Sequence, residues 1–310
     1  MRQYGNAQTL AAAEGQVLFE KDRRGIARII LNRPEKHNAM SVPMRARIAE
    51  LVRRCDLDDE VRVIVISGRG KSFCSGNEIN EDWGQRGPGY RRFSLSTAVR
   101  YGTDMTYGRL SFSQALSRCA KPTILQMHGY CAAAAYFMLA TKVDFVMAAP
   151  DSRIGALEAR FLGPAGAVSH IHLNRILGTK AARRLGYTAE PISGAEAQRL
   201  GLVYRCVPEA TLEKETLRFA AQLARRPQEQ LLYLKARVLA AEGLLDTHLA
   251  VMPGLLLSHF FQTEKDELAF WKAVRSGSVA TALKEDKQRA AAAKGDKGAK
   301  PAPAAKEAAR

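Results

Sequence analysis

The chain reads as an α/β protein. β-Branched runs alternate with helical stretches up to about residue 207, and helical pattern alone continues from Glu209 to about residue 283. Two observations carry this reading. Residues 61–67 and 122–127 are β-branched, mostly apolar runs that read as buried strands, the first in the pattern of a parallel strand covered on both faces. Each run is followed by a segment of small residues: Gly-Lys-Ser-Phe-Cys-Ser-Gly-Asn-Glu-Ile at 70–79 and His-Gly-Tyr-Cys-Ala-Ala-Ala-Ala at 128–135. The second leads into an apolar helical stretch at 136–141. A strand, a small-residue turn and a helix start together expose backbone N–H groups beside a ligand. Two such turns in one domain suggest a pocket with two donors for an oxygen that gains negative charge.

Taken in order, residues 1–16 read as a flexible leader. Residues 17–20 and 26–31 are strands joined by a Lys-Asp-Arg-Arg-Gly turn. Asn-Arg-Pro-Glu-Lys-His-Asn at 32–38 is a loop, and a helix follows Ser41 with Pro43 in its first turn. Residues 81–90, with Gly84, Gly87, Pro88 and Gly89, read as a mobile loop over the first turn, and a helix covers much of 94–119. Strands follow at 122–127 and 143–148. Helices follow at 165–177, 181–185 and 195–200, with Gly178, Gly186 and Gly201 as stop signals. Residues 202–207 form a late strand. The expected organisation is a leader (1–16), an α/β core (17–207), a C-terminal helical region (208–283) and a disordered Ala/Lys-rich tail (284–310).

Composition narrows the function classes. The 310 residues suffice for one large core. Five cysteines, scattered and without a Cys-x-x-Cys pair, argue for a reducing compartment and against a disulfide framework or zinc site. No apolar run approaches a membrane span, and the N-terminal residues lack the apolar region of a secretory signal, so a cytoplasmic location is expected. The net charge of +16 is spread over the chain, with eight basic and four acidic residues in 284–310. A solvated basic face explains most of it, and an anionic ligand is the second explanation.

The motifs combine into a resemblance. Leu-Asn-Arg-Pro-Glu-Lys-His-Asn-Ala-Met at 31–40, Phe-Cys-Ser-Gly-Asn-Glu-Ile at 73–79 and the turn at 128–135 resemble successive motifs of the crotonase, or enoyl-CoA hydratase/isomerase, superfamily. The segments Ile-Gly-Ala-Leu-Glu at 154–158, Gly-Pro-Ala-Gly at 163–166 and 191–203 keep the family's order and spacing. The family usually has a glycine run where this chain has Ala132–Ala135. The resemblance covers residues 17–275 and implies a spiral of ββα turns, a C-terminal helical region that builds a homotrimer or a dimer of trimers, and an acyl-CoA thioester as ligand. Coenzyme A enters as part of that substrate; no other cofactor and no metal is expected, and neither a membrane nor nucleic acid is the expected partner.

The resemblance also assigns residues. Enolising a thioester requires stabilisation of the oxygen that becomes negative, and one well-aimed donor in a dry site supplies about 3–4 kcal/mol. By resemblance the first donor is the backbone N–H of Asn77. Counting from His128 puts the second at Ala134, and counting back from Asp144 puts it at Ala135, the choice that helix register favours. Of the two glutamates common in hydratases of the family, the first position falls on Phe137 or Met138, neither of which moves a proton. The second falls on Glu158, the expected catalytic acid/base. Arg33, Lys36 and Ser75 are the expected coenzyme contacts, and Trp83, Phe137 and Met138 the expected substrate pocket. Glu78, Glu81 and Asp82 could enter the pocket but read more simply as a solvated turn, His128 as a hydrogen-bonded scaffold residue, His170 and His172 as packed or exposed residues of the helix after Gly166, and Cys74 and Cys131 as small packing residues. A single base suffices for double-bond isomerisation, whereas hydration asks for two groups. A specialised acyl-CoA hydrolase or C–C lyase stays open, as does an inactive binding protein with an RNA or protein partner.

Overall fold

The computed structural model describes residues 10–78, 112–136, 142–157 and 167–241. The chain divides into two units, Met1–Ala236 and Arg237–Arg310, and the fold below belongs to the first. Its centre is a six-stranded sheet built from β1 (Val17–Lys21), β2 (Ile26–Leu31), β3 (Val63–Gly68), β4 (Thr123–Met127), β6 (Phe145–Ala148) and β9 (Arg205–Cys206), adjacent in that order. The β1–β2 pair is an antiparallel hairpin, and every other pairing is parallel. A smaller sheet is made of β5 (Tyr130–Ala132), β7 (Arg153–Gly155) and β8 (Ile192–Ser193).

The apolar runs become strands covered on both faces because side chains alternate across a strand. Ile64 and Ile66 of β3 join Leu125 and Met127 of β4 in one core cluster, with Met44, Ile48, Leu51 and Val52 of helix α1 (Val42–Leu57). Val63 and Val65 face the other way, with Ile124 and Met147, and meet Leu212, Phe219 and Ala220 of the helix at Glu209–Ala224. Ser41 caps α1, its Oγ accepting from the Met44 N–H (3.3 Å). Helix α2 (Phe112–Arg118) packs on α1. Next come α3 (Ala167–Thr188), α4 (Gly194–Arg199), α5 (Glu209–Ala224) and α6 (Gln228–Ala241). Leu212, Thr216, Phe219 and Ala220 form one buried stripe of α5 at helical spacing, so α5 is a layer of the core. Lys235 of α6 donates to Asp144 Oδ2 and to the Lys121 carbonyl, both at 2.7 Å, tying α6 to the start of β4.

The α/β class is borne out, and several local expectations are corrected. Of the stretch expected as a leader, residues 10–16 are held to the core: Ala13 is buried, Asn32 donates Nδ2–H to the Gly15 carbonyl (2.7 Å), and the Asn32 N–H donates to Gln16 (2.8 Å). Gly178 interrupts α3 with φ +75°, as expected, but the helix runs through Gly186 to Thr188. The stretch 128–135 contains the strand β5, and the helix after it begins at Ala134 rather than at 136. The strands β7 and β8 have no counterpart in the sequence reading. The loop at 81–90 lies outside the described residues, as do most of the helix at 94–119 and the tail. Among the described residues, no helix is long and apolar enough to cross a membrane.

Candidate active site

The two small-residue turns lie against each other. The Phe73 N–H donates to the His128 carbonyl (2.7 Å), the Cys74 N–H to Tyr130 (2.9 Å), and the Ala132 N–H back to Cys74 (3.1 Å). Cys131 thus pairs with Cys74 on one side and with Ile154 of β7 on the other. The Ala133 N–H then reaches the Gly155 carbonyl (3.2 Å). Segments around 74, 131 and 154 are in this way three neighbouring ribbons. Gly76 makes the closest approach. At φ +113°, a Cβ on it would stand 2.6 Å from the Ala133 Cβ and 3.5 Å from the Ala134 nitrogen. Only a residue without a side chain lets the turns meet this closely.

The backbone around Asn77 is fixed from one side. The Met40 N–H donates to the Gly76 carbonyl (2.7 Å) and the Glu78 N–H donates to the Met40 carbonyl (2.9 Å). Successive amides of extended chain point to opposite edges, so the Asn77 N–H faces away from Met40. On the second turn Ala133 adopts the left-handed conformation, φ +50°, immediately before the helix start. The first N–H groups of a helix have no intrahelical acceptor. Among the described residues, none of the N–H groups of Asn77, Ala134 and Ala135 is engaged in a hydrogen bond. Ala135 is fully buried and Ala134 partly so. The Asn77 side-chain Oδ1 is also buried, and it accepts no bond among the described residues.

The 32–40 loop is clamped to the first turn by Asn38, fully buried at φ +55°. Its Oδ1 accepts from the Arg33 N–H (2.7 Å), and its Nδ2 donates to the carbonyls of Arg69 and Ser72 (2.8 Å each). Asn tolerates this backbone conformation better than most residues. Arg33 donates Nη1–H to the Ala39 carbonyl (2.9 Å) and Nη2–H to Glu78 Oε2 (3.2 Å). Lys36 donates to the same oxygen (3.1 Å). Ser75, half-buried, donates its N–H to the His37 carbonyl (2.9 Å) and so follows this loop. Glu78 is therefore no solvated turn residue: its carboxylate is buried and ion-paired with two of the expected coenzyme contacts. The available signal was the charge pattern, since an acid beside a turn and two cations in one loop are natural partners.

His128 donates Nε2–H to the Gly70 carbonyl (2.6 Å), a scaffold contact between the end of β4 and the first turn. Burial pushes the Cys74 thiol up to about 12 and the Cys131 thiol well above its ordinary value. Both stay protonated at neutral pH, consistent with packing roles. Among the described residues, no group of His, Cys, Asp and Glu is arranged to hold a metal ion. Glu158, Trp83, Phe137 and Met138 lie outside the described residues, as do Glu81, Asp82 and the side chains of His170 and His172. The sequence reading missed the Asn38 clamp, because two of its three partners, Arg69 and Ser72, are distant along the chain.

Comparison with known proteins gives the family and the fold. Residues 21–267 match the family model described as enoyl-CoA hydratase/isomerase. The chain is 28% identical over 225 residues to the "Probable enoyl-CoA hydratase 1, peroxisomal" of Arabidopsis thaliana, spanning 72% of this chain and 78% of that protein. It is 28% identical over 229 residues to 1,2-epoxyphenylacetyl-CoA isomerase of Escherichia coli, spanning 73% and 83%. A crystal structure of an enoyl-CoA hydratase from Mycobacterium smegmatis superposes with a TM-score of 0.71 at 25% identity, covering 85% of this chain and 97% of that one.

Proposed function

Because the chain belongs to the enoyl-CoA hydratase/isomerase family, we propose that it polarises an acyl-CoA thioester between the N–H groups of Asn77 and Ala135 and moves a proton with Glu158. The observation that carries this reading is the meeting of the two turns at Gly76, Ala133 and Ala134. A thioester oxygen seated between them accepts two bonds that strengthen as it becomes an enolate, and the helix start adds its dipole. Ala135 is taken ahead of Ala134 on the helix-register count from Asp144, with Ala134, the first residue of the helix and partly exposed, as the alternative donor. Glu158 enters three positions after Gly155, the residue that receives the Ala133 N–H. By resemblance, the position of the second glutamate that hydration would use falls on Phe137 or Met138, neither of which moves a proton. The chemistry that fits is the one-base kind, in which a proton leaves one carbon of the acyl chain and returns to another. Arg33, Lys36 and Ser75 line the approach for the coenzyme, with Trp83, Phe137 and Met138 around the acyl chain. A trimer or dimer of trimers in the cytoplasm is part of the same proposal, the reducing compartment being in keeping with five free cysteines.

The test is turnover of 2-enoyl-CoA and 3-enoyl-CoA thioesters, with products resolved by mass spectrometry into hydration, isomerisation and coenzyme release. Glu158→Gln is expected to lose 10²-fold or more, the usual order for general acid–base catalysis. Undiminished turnover in that variant removes Glu158 from its role. Release of free coenzyme A by the wild type replaces the isomerase reading with a hydrolase.

A further inference from the structure

Glu78 has two attachments that pull on different parts of the site. Its N–H holds Met40 next to Asn77, while its Oε2 accepts from both Arg33 and Lys36. The carboxylate and the guanidinium are nearly closed to solvent, with side-chain exposures of 9% and 13%, whereas Lys36 is 50% exposed. A buried carboxylate requires a cation, and Arg33, fixed also by Ala39, is the permanent one. Lys36 is held more loosely. A half-exposed ammonium gains little from a carboxylate that already has a partner, and more from a doubly charged phosphate.

We propose that Glu78 is a positioning residue that competes with the coenzyme's phosphates for Lys36, while its pair with Arg33 holds the backbone at Asn77. Without phosphate, Glu78 holds Lys36 against the first turn. When phosphate takes Lys36, Glu78 keeps its pair with Arg33, and that pair holds the strand at 76–78 in register. No covalent bond changes. The inference rests on the reading above, in which the ligand is a coenzyme A thioester.

The experiment compares binding of free coenzyme A with binding of pantetheine, which lacks the nucleotide, by calorimetry at low and high salt. Glu78→Gln is expected to tighten coenzyme A binding about threefold to tenfold at low salt, less at high salt, and to leave pantetheine unchanged. Glu78→Asp is expected to keep the wild-type affinity for both. Lys36→Ala is expected to weaken coenzyme A binding about tenfold, and in that background Glu78→Gln no longer tightens it. The same Glu78→Gln protein is expected to lower kcat with whichever enoyl thioester the wild type turns over, because Arg33 has lost its anion beside Asn77. Equal shifts for coenzyme A and pantetheine, no shift, or additive effects in the double variant overturn the proposal and leave Glu78 a structural residue. Wild type that binds no coenzyme A overturns the functional reading itself, and this inference with it.

Discussion

The first turn presents its N–H from an extended strand, and the second presents its own from the start of a helix. The first is tethered by polar contacts: Met40 bonds on both sides of Asn77, Asn38 binds the loop behind it, and Glu78 closes two ion pairs. The second is held by backbone pairing to its two neighbouring ribbons and by close approach, with Gly129 at φ +56° pressed on the 71–72 backbone and Ala133 in the left-handed region. Side-chain tethers thus fix the first turn, and backbone pairing with tight packing fixes the second. Removing a polar partner should therefore injure the first turn, and adding a methyl group should injure the second.

The largest effect is expected from Gly129→Ala. The added methyl group meets the Lys71 carbonyl at a backbone angle that favours glycine, and a loss of about 3 kcal/mol or more should appear in urea unfolding. Stability near the wild-type value would show that the second turn yields easily. Asn38→Ala comes next. It strands the Arg33 N–H and the Arg69 and Ser72 carbonyls, at a cost of about 2–3 kcal/mol in the same measurement. A loss under 0.5 kcal/mol, on the scale of an ordinary surface change, would mean that the first turn does not depend on its tethers. Asn77→Ala keeps the backbone N–H, so turnover should fall by less than about tenfold, against the 10²–10³ typical of a lost oxyanion donor. A drop of that larger size would move the function from the Asn77 backbone to its side chain. The smallest effect belongs to Ala133→Gly, which relieves a left-handed alanine and should stabilise by about 0.5–1 kcal/mol after the entropic cost of glycine. Destabilisation there would show that the Ala133 methyl group packs more than it strains.

The parts of the fold legible in the sequence are those with a local cause. The β-branched runs at β3 and β4 and the Ser41 cap of α1 announce themselves within a few residues, and so do the glycines that end helices. β7 and β8 were not legible because three and two residues carry no usable alternation; they are strands only because β5 lies beside them. Gly186 misled because a glycine inside a helix costs only about 1 kcal/mol, which flanking Leu185 recovers by burial. In the site, the two turns could be read as donors, but not which residues hold them. Glu78 looked solvated beside Glu81 and Asp82, since its cations lie more than forty residues away.

That distance along the chain bears on how the molecule acquires its site. Asn38 reaches Ser72 across 34 residues, Cys74 pairs with Cys131, and Cys131 with Ile154. No hairpin or single helix contains more than one of these ribbons, so each loop must close before its neighbour has anything to bind. Contacts of this separation form slowly relative to local helices. During refolding from urea, helical signal should therefore return before turnover does, and a chain caught midway would hold much of its secondary structure but no pair of aligned donors.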